Sequence, residues 1–178
     1  FKGCPLKCVW CHNPETQRFE REMELDREKC TGCGACAAAC PNGAIHMEDH
    51  KPVWNSLSCT FCGKCADVCP ASAREIVGYE YTIKELVKEL MKDQMFYEQS
   101  GGGVTFSGGE VMSVDMDFVL AAAKELDRQG ISLTIDTCGY APYERFQKIL
   151  PYVDTFLYDV KIMDPELHKK YIGVDNKL

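Results

Sequence analysis

Eleven of the twelve cysteines of this 178-residue chain lie within its first 69 residues, and eight of them fall into two copies of one spacing. Cys30, Cys33, Cys36 and Cys40 precede Pro41, and Cys59, Cys62, Cys65 and Cys69 precede Pro70, each copy reading C-x2-C-x2-C-x3-C-P. So dense a thiol set in a chain of ordinary apolar and charged content is a metal or disulfide framework, and the spacing separates the two. Three thiolates spaced by two residues wrap one face of an iron–sulfur cube, while the fourth, turned away by the proline, reaches the neighbouring cube. The spacing therefore predicts one 4Fe-4S cluster on Cys30, Cys33, Cys36 and Cys69 and a second on Cys40, Cys59, Cys62 and Cys65. Zinc knuckles would need two separate sets of four ligands, not two interlocked sets ending in Cys-Pro. The small residues Gly32, Gly34, Ala35, Gly63 and Ala66 let backbone amides approach the sulfides. Clusters fully ligated by protein move electrons and offer no open iron.

Cys4, Cys8 and Cys11 form a third set, C-x3-C-x2-C, with three thiolates only. Three ligands on a four-iron cluster leave one iron free to bind a substrate, which a catalytic cluster requires and an electron carrier avoids. The triplet by itself also suits zinc.

The run Gly3 to Glu15 (GCPLKCVWCHNPE) resembles the radical S-adenosylmethionine (radical SAM) superfamily, and within it the glycyl-radical enzyme activating enzymes. Gly101 to Glu110 (GGGVTFSGGE), Asp136 to Gly139 (DTCG), Asp159-Val160-Lys161, Met163-Asp164 and His168 agree with that family in the same order. Where the family commonly continues Gly-Gly-Glu with Pro-Leu, this chain has Val111-Met112. That departure and Asp136 to Glu144 (DTCGYAPYE) look most similar to the trans-4-hydroxy-L-proline dehydratase branch of these activating enzymes.

Outside the cysteine-rich region, strand and helix patterns alternate. Thr82 and Glu85 make a capping box before Ile83, Leu86, Val87, Leu90 and Met91 at helical spacing. Val104 to Phe106 is a short strand, followed by Ser107-Gly108-Gly109-Glu110 and a helix with the stripe Met116, Val119, Leu120, Ala123 and Leu126, stopped at Gly130. Ile131 to Ile135 forms the next strand, Phe146, Ile149 and Leu150 lie on the following helix, Phe156 to Val160 is a third strand, and Asp164-Pro165 opens a helix ending at Gly173. The alternation predicts an α/β fold with a parallel sheet and its site at the carboxyl ends of the strands. The resemblance implies a partial parallel (β/α) barrel of the radical SAM type, over residues 1–26 and 76–178 and truncated at both ends. Residues 27–75 would be a small ferredoxin-like insert holding two 4Fe-4S clusters.

The same resemblance implies an oxidoreductase with three 4Fe-4S clusters and S-adenosylmethionine as cofactors. The cluster on Cys4, Cys8 and Cys11 would cleave S-adenosylmethionine reductively to a 5'-deoxyadenosyl radical, which abstracts hydrogen from a glycine of a partner glycyl-radical enzyme. The cofactor contacts it implies are Trp10, Cys11, His12, Gly108, Gly109, Glu110, Asp136, Asp159, Val160 and Lys161. In this reading Gly108 and Gly109 let the backbone approach the methionine ammonium, Glu110 accepts its hydrogens, and Asp159 and Lys161 point to one side of their strand. Trp10 and His12 equally suit packing roles. Cys138 is expected to be a small buried apolar residue, and His168 to cap or pack. A low-potential electron donor such as flavodoxin or ferredoxin is implied. An enzyme acting on a small molecule and a two-cluster electron carrier are the competing readings.

The net charge of -7 and the lack of Lys/Arg runs argue against nucleic acid or an anionic membrane as partner. No stretch of eighteen apolar residues is present. Thiolate clusters favour a reducing, cytoplasmic setting, and the opening at Phe1 reads as the edge of a fragment.

Overall fold

The computed structural model describes residues 1–177, which pack as two compact units, Glu20–Tyr79 and Phe1–Phe19 with the chain from Glu80 onward. The first unit is wider than the expected insert of 27–75 because its outer strands pair with each other.

That unit is a repeat. Strand β1 (Glu22–Leu25), helix α1 (Ala35–Ala39) and strand β2 (Ile45–Glu48) are followed by β3 (Lys51–Trp54), α2 (Lys64–Asp67) and β4 (Arg74–Val77). β1 pairs antiparallel with β4, Leu25 opposite Arg74, and β2 with β3, Ile45 opposite Trp54. Each helix starts from a left-handed glycine directly after the second cysteine of its run, Gly34 at φ 78° and Gly63 at φ 80°. A side chain would strain that backbone. Met23, Cys36, Ile45, Cys65 and Ile76 form a small core, so two of the thiols lie at its centre.

In the second unit, α3 (Ile83–Leu90) carries the expected capping box: Thr82 accepts from the Glu85 N–H, and Glu85 accepts from the Thr82 N–H. Helix α4 (Gln94–Ser100) leads to β5 (Gly103–Phe106), α5 (Met116–Arg128), β6 (Ser132–Thr137), α6 (Tyr143–Ile149), β7 (Thr155–Tyr158) and α7 (Pro165–Ile172). β5, β6 and β7 form a parallel three-stranded sheet in that order, as the alternation predicted. The core combines one face of the sheet (Val104, Phe106, Leu133, Ile135) with α5 and Ile149.

Three expected details differ. The buried stripe of α5 is Val119, Ala122, Ala123 and Leu126, with Leu120 only half-buried, because the helix turns Ala122 rather than Leu120 onto the sheet. Leu150 is exposed, since α6 ends at Ile149 and Pro151 forces a tighter turn. β7 stops at Tyr158, short of Val160. Its neighbour β6 ends at Thr137, whose carbonyl takes the Asp159 N–H at 2.9 Å as the last rung.

Candidate functional site

The residues at the carboxyl ends of the three parallel strands surround one side of a cavity of about 370 Å3, and the loop of Cys4, Cys8 and Cys11 forms the other. Ser107 follows β5, Asp136 and Thr137 end β6, and Asp159 and Lys161 follow β7. The volume lies within the range of about 300–1,000 Å3 usual for small-molecule and cofactor sites.

The cysteine loop is fastened at two places. Its leading residues run beside the end of β5: Gly109 donates to the Phe1 carbonyl at 2.8 Å and Glu110 to that of Gly3 at 2.7 Å. Further along, the N–H groups of Lys7 and Val9 donate to the carbonyls of Ile172 and Tyr171 at 2.8 and 3.0 Å. Those carbonyls belong to the last turn of α7 and have no partner within the helix, so the loop caps α7 while α7 holds the loop. Leu6, 2% exposed, anchors the middle of the loop and leaves the three half-buried thiols around it.

Gly108 and Gly109 act differently from expectation. A Cβ on Gly108, which has φ +122°, would lie 2.1 Å from the Phe1 carbonyl oxygen, and one on Gly109 would lie 2.3 Å from that of Gly3. The close approach they permit is that of the cysteine loop's leading strand, although both also line the cavity.

Glu110 does not line the cavity. It is fully buried, and its carboxylate accepts from Met112 N at 2.9 Å, Thr137 Oγ1 at 2.7 Å and Cys138 N at 2.7 Å. Three of the carboxylate's roughly four acceptor positions are taken by the protein's own donors, and the group is closed off from the cavity. Its work is to hold the turn after β6 against the loop after β5. Thr137 Oγ1 also accepts from Gly139 N at 2.9 Å, which extends the network.

Asp136 faces the cavity and accepts a hydrogen bond from Ser107 Oγ at 2.8 Å, which ties β6 to β5 across the floor. Asp159 and Lys161 also line it, joined by a hydrogen bond and ion pair, but both lie beyond the strand, so period-two alternation is not what aligns them. Burial pulls Lys161 down, while the bond to Asp159, its charge and the thiols of Cys8 and Cys138 together hold the ammonium above its usual range. Val160, 59% exposed, points away and is not part of the lining. Trp10 and His12 do line it, and the Trp10 ring lies 6.3 Å from that of Tyr171.

Cys138 departs most from expectation. It is half-buried and lines the cavity beside the triplet. The neighbouring Cys138 thiol, with help from the Leu6 N–H, brings the Cys4 thiol down to about 7 against the opposing effect of burial, and Cys4 in turn holds the Cys138 thiol well up. Asn13, Thr16, Gln17, Ser107 and Thr137 complete the lining. Ser107 and Thr137 adjoin the glycine pair and Asp136, a signal the sequence did contain; Thr16 and Gln17 arrive only through the loop's fold. His168 packs at the end of α7, its Nδ1 2.7 Å from the Val174 carbonyl.

In the unit Glu20–Tyr79, two recesses gather the remaining eight cysteines. One is lined by Cys30, Cys33, Cys36 and Cys69, the other by Cys40, Cys59, Cys62 and Cys65. Cys40 Sγ accepts the Ala44 N–H at 3.2 Å, Cys69 Sγ that of Ala73 at 3.3 Å, and Cys59 Sγ that of Phe61 at 3.4 Å. Backbone N–H groups around Ala73 lower the Cys69 thiol; burial is the largest single influence on Cys40 and raises it, but the N–H groups of Asn42 to Ile45 together outweigh it and lower the thiol. Burial pushes the Cys65 thiol up. Among the described residues no three His, Cys, Asp or Glu side chains converge to grip a single ion. The thiols instead stand apart around each recess, with N–H donors aimed at sulfur, and this donor set fits a polynuclear iron–sulfur group.

Comparison with known proteins agrees. The family described as "4Fe-4S dicluster domain" matches residues 22–70. The chain is 51% identical over its whole length to the trans-4-hydroxy-L-proline dehydratase activating enzyme of Clostridioides difficile, covering 59% of that protein. It is 44% identical over its whole length to the choline trimethylamine-lyase activating enzyme of Oleidesulfovibrio alaskensis, covering 58% of it. Over 97% of the chain it is 40% identical to the benzylsuccinate synthase activating enzyme of Thauera aromatica, covering 54% of it. The chain thus spans less than two thirds of the length of these relatives. The family described as "Radical SAM superfamily" matches residues 56–177, more than half of the sequence, and the chain belongs to that superfamily.

Proposed function

We propose that this chain is the cluster-bearing part of an activating enzyme that places a radical on a glycine of a partner glycyl-radical enzyme. The observation that carries the reading is the single cavity between the cysteine triplet and the carboxyl ends of three parallel strands. Cys4, Cys8 and Cys11 would hold a 4Fe-4S cluster at its wall, and Trp10, His12, Asp136, Asp159 and Lys161 would receive S-adenosylmethionine. Cys30, Cys33, Cys36 and Cys69 would hold a second cluster and Cys40, Cys59, Cys62 and Cys65 a third. The parallel sheet is read as part of a (β/α) barrel.

When bound, the triplet's cluster and S-adenosylmethionine supply the one-electron cleavage of a carbon–sulfur bond and the hydrogen-atom abstraction that follows. The residues of this chain bind and orient. Lys161, held charged beside Asp159, balances the carboxylate of the methionine moiety. Asp136, fixed by Ser107, offers an acceptor to hydroxyl or ammonium hydrogens. Glu110 keeps Thr137 and Cys138 in place from behind, and Trp10 offers an aromatic face at the rim. Cys138 would stand beside Cys4 without serving as a fourth ligand, so that one iron would stay open to S-adenosylmethionine.

The similarity to the Clostridioides difficile enzyme favours trans-4-hydroxy-L-proline dehydratase as the partner. A flavodoxin or ferredoxin would supply electrons, and a reducing cytoplasm would keep the thiolates competent. No helix among the described residues is long and apolar enough to cross a membrane. An electron carrier alone would have no use for the cavity.

The test is anaerobic reconstitution of the full-length protein, reduction, and addition of S-adenosylmethionine with the dehydratase. Formation of 5'-deoxyadenosine together with a glycyl doublet in electron paramagnetic resonance is expected. Deoxyadenosine without a protein radical, across candidate partners, would point to a small-molecule substrate, and no deoxyadenosine would refute the reading.

A further inference from the structure

Among the described residues three buried side-chain polar atoms have no hydrogen-bond partner: Nε and Nη2 of Arg74 and Nε1 of Trp54. Buried donors are nearly always paired, so each exception calls for a physical explanation. Arg74 is 5% exposed and lines the recess of Cys30, Cys33, Cys36 and Cys69. Trp54 lines the recess of Cys40, Cys59, Cys62 and Cys65.

The repeat makes the placement informative. In register, Cys30 corresponds to Cys59, Cys40 to Cys69 and Ala44 to Ala73, so Leu25 corresponds to Trp54 and Ile45 to Arg74. Leu25 and Arg74 face each other across β1 and β4 at the first recess, and Ile45 and Trp54 across β2 and β3 at the second. Each recess is therefore bordered by one aliphatic residue and one unpaired N–H donor. The donor is a cation in one and neutral in the other. Backbone N–H bonds to Cys40 and Cys69 are alike in the two halves, while Cys59 takes a further N–H from Phe61; against that common pattern, only the first recess has a guanidinium as its unpaired buried donor.

We propose that Arg74 and Trp54 donate their free N–H groups to the sulfur of the clusters in these recesses, and that the cationic donor makes the Cys30, Cys33, Cys36, Cys69 cluster the easier of the two to reduce. The proposal rests on the cluster reading given above. A reduced cluster carries one more negative charge, so a nearby guanidinium stabilises the reduced form more than the oxidised one. A neutral indole N–H does the same more weakly. The charge of Arg74 also acts on Cys65, so part of its effect is shared; direct donation separates the two potentials. The arrangement gives the pair a resting place for an electron.

The experiment uses the full-length protein with Cys4, Cys8 and Cys11 replaced by Ala, which leaves the two auxiliary clusters. Iron and sulfide content and spin count establish that both are present, and a potentiometric titration followed by electron paramagnetic resonance reads their midpoints. Two separate midpoints are expected. R74Q lowers the higher one by at least a tenfold change in the one-electron equilibrium, about 59 mV, and moves the other less. R74K retains the charge and moves it less than R74Q. W54F keeps the ring packing and lowers only the lower midpoint. Coincident midpoints in the parent, R74Q and W54F titrating like the parent at full iron content, or R74Q moving both midpoints equally would each overturn the proposal. If R74Q does not load iron, W54F decides alone, and an unmoved lower midpoint overturns the assignment. Failure of the parent itself to load eight irons would instead refute the cluster reading.

Discussion

Replacing Glu110 separates a scaffold role from a ligand role, because the two predict opposite outcomes. Its carboxylate is fully buried; one oxygen accepts from Met112 N and Thr137 Oγ1, and the other from Cys138 N. In E110Q the amide oxygen can keep the first two bonds, but the amide nitrogen then meets the Cys138 N–H donor to donor. One hydrogen bond to a charged acceptor is lost, about 1.5–3 kcal/mol, and the other two weaken. Relief of the buried charge offsets part of this, which leaves a net loss of about 2 kcal/mol. For a domain of 150–250 residues that is a fall in melting temperature of roughly 4–8 °C. E110A removes all three bonds, leaves donors unpaired and opens a cavity, so a loss beyond about 4 kcal/mol is expected, a large share of the stability of an ordinary domain. The assay is anaerobic thermal unfolding of the reconstituted full-length protein followed by circular dichroism, with S-adenosylmethionine binding measured at a temperature where both proteins are folded. E110Q should melt lower and bind the cofactor within a few fold of the parent. An E110Q protein that melts with the parent but has lost binding by more than tenfold would refute the scaffold argument and restore Glu110 as a direct contact.

A Cβ on Gly109 would overlap the Gly3 carbonyl, so G109A should displace the cysteine loop and lower the iron bound by the triplet while leaving eight irons in the other unit; iron analysis and electron paramagnetic resonance check this. C138S should retain full iron content and the spectral change on adding S-adenosylmethionine, and loss of four irons would identify Cys138 as a ligand. C8A should abolish 5'-deoxyadenosine formation and leave the auxiliary clusters assembled. Arg128 and Gln129 hold the Glu125 carboxyl down to about 2, below its usual value of 4.5, so its contribution is present above pH 4.5 and lost as pH falls through about 2. E125Q should therefore melt below the parent at neutral pH, and the difference should vanish near pH 2.

The capping box at Thr82, the alternation of strand and helix and the sorting of eight cysteines into two interlocked sets were all legible, because each depends on local spacing. The exact lining of the cavity was less so. Glu110 follows a glycine pair and reads as a ligand, yet its direction is decided by Thr137 and Cys138, residues distant in sequence that offer donors into the core. Cys138 read as a buried apolar residue because the three clusters already had their cysteines; it follows the end of β6 and lines the cavity beside the triplet. Asp159 and Lys161 do line one cavity together, but not through strand alternation, since the pairing of β7 with β6 ends at Tyr158 opposite Thr137.

The two kinds of cluster site differ in what holds their cysteines. The recesses of the Glu20–Tyr79 unit draw on short helices, tight glycine turns and N–H groups two to four residues from Cys40, Cys59 and Cys69, all within one sixty-residue unit whose core includes Cys36 and Cys65. On the proposed reading, metal binding there and folding of the unit would be one event. The triplet draws its geometry from carbonyls of α7 and from the end of β5, each more than a hundred residues away in the chain. Its shape is a consequence of the finished sheet rather than of the motif. A loop held from outside can leave a corner of its cluster uncovered, whereas a recess that closes around its own ligands cannot. On the proposed reading, that physical difference, more than the count of cysteines, would suit the first to binding a substrate and the others to carrying electrons.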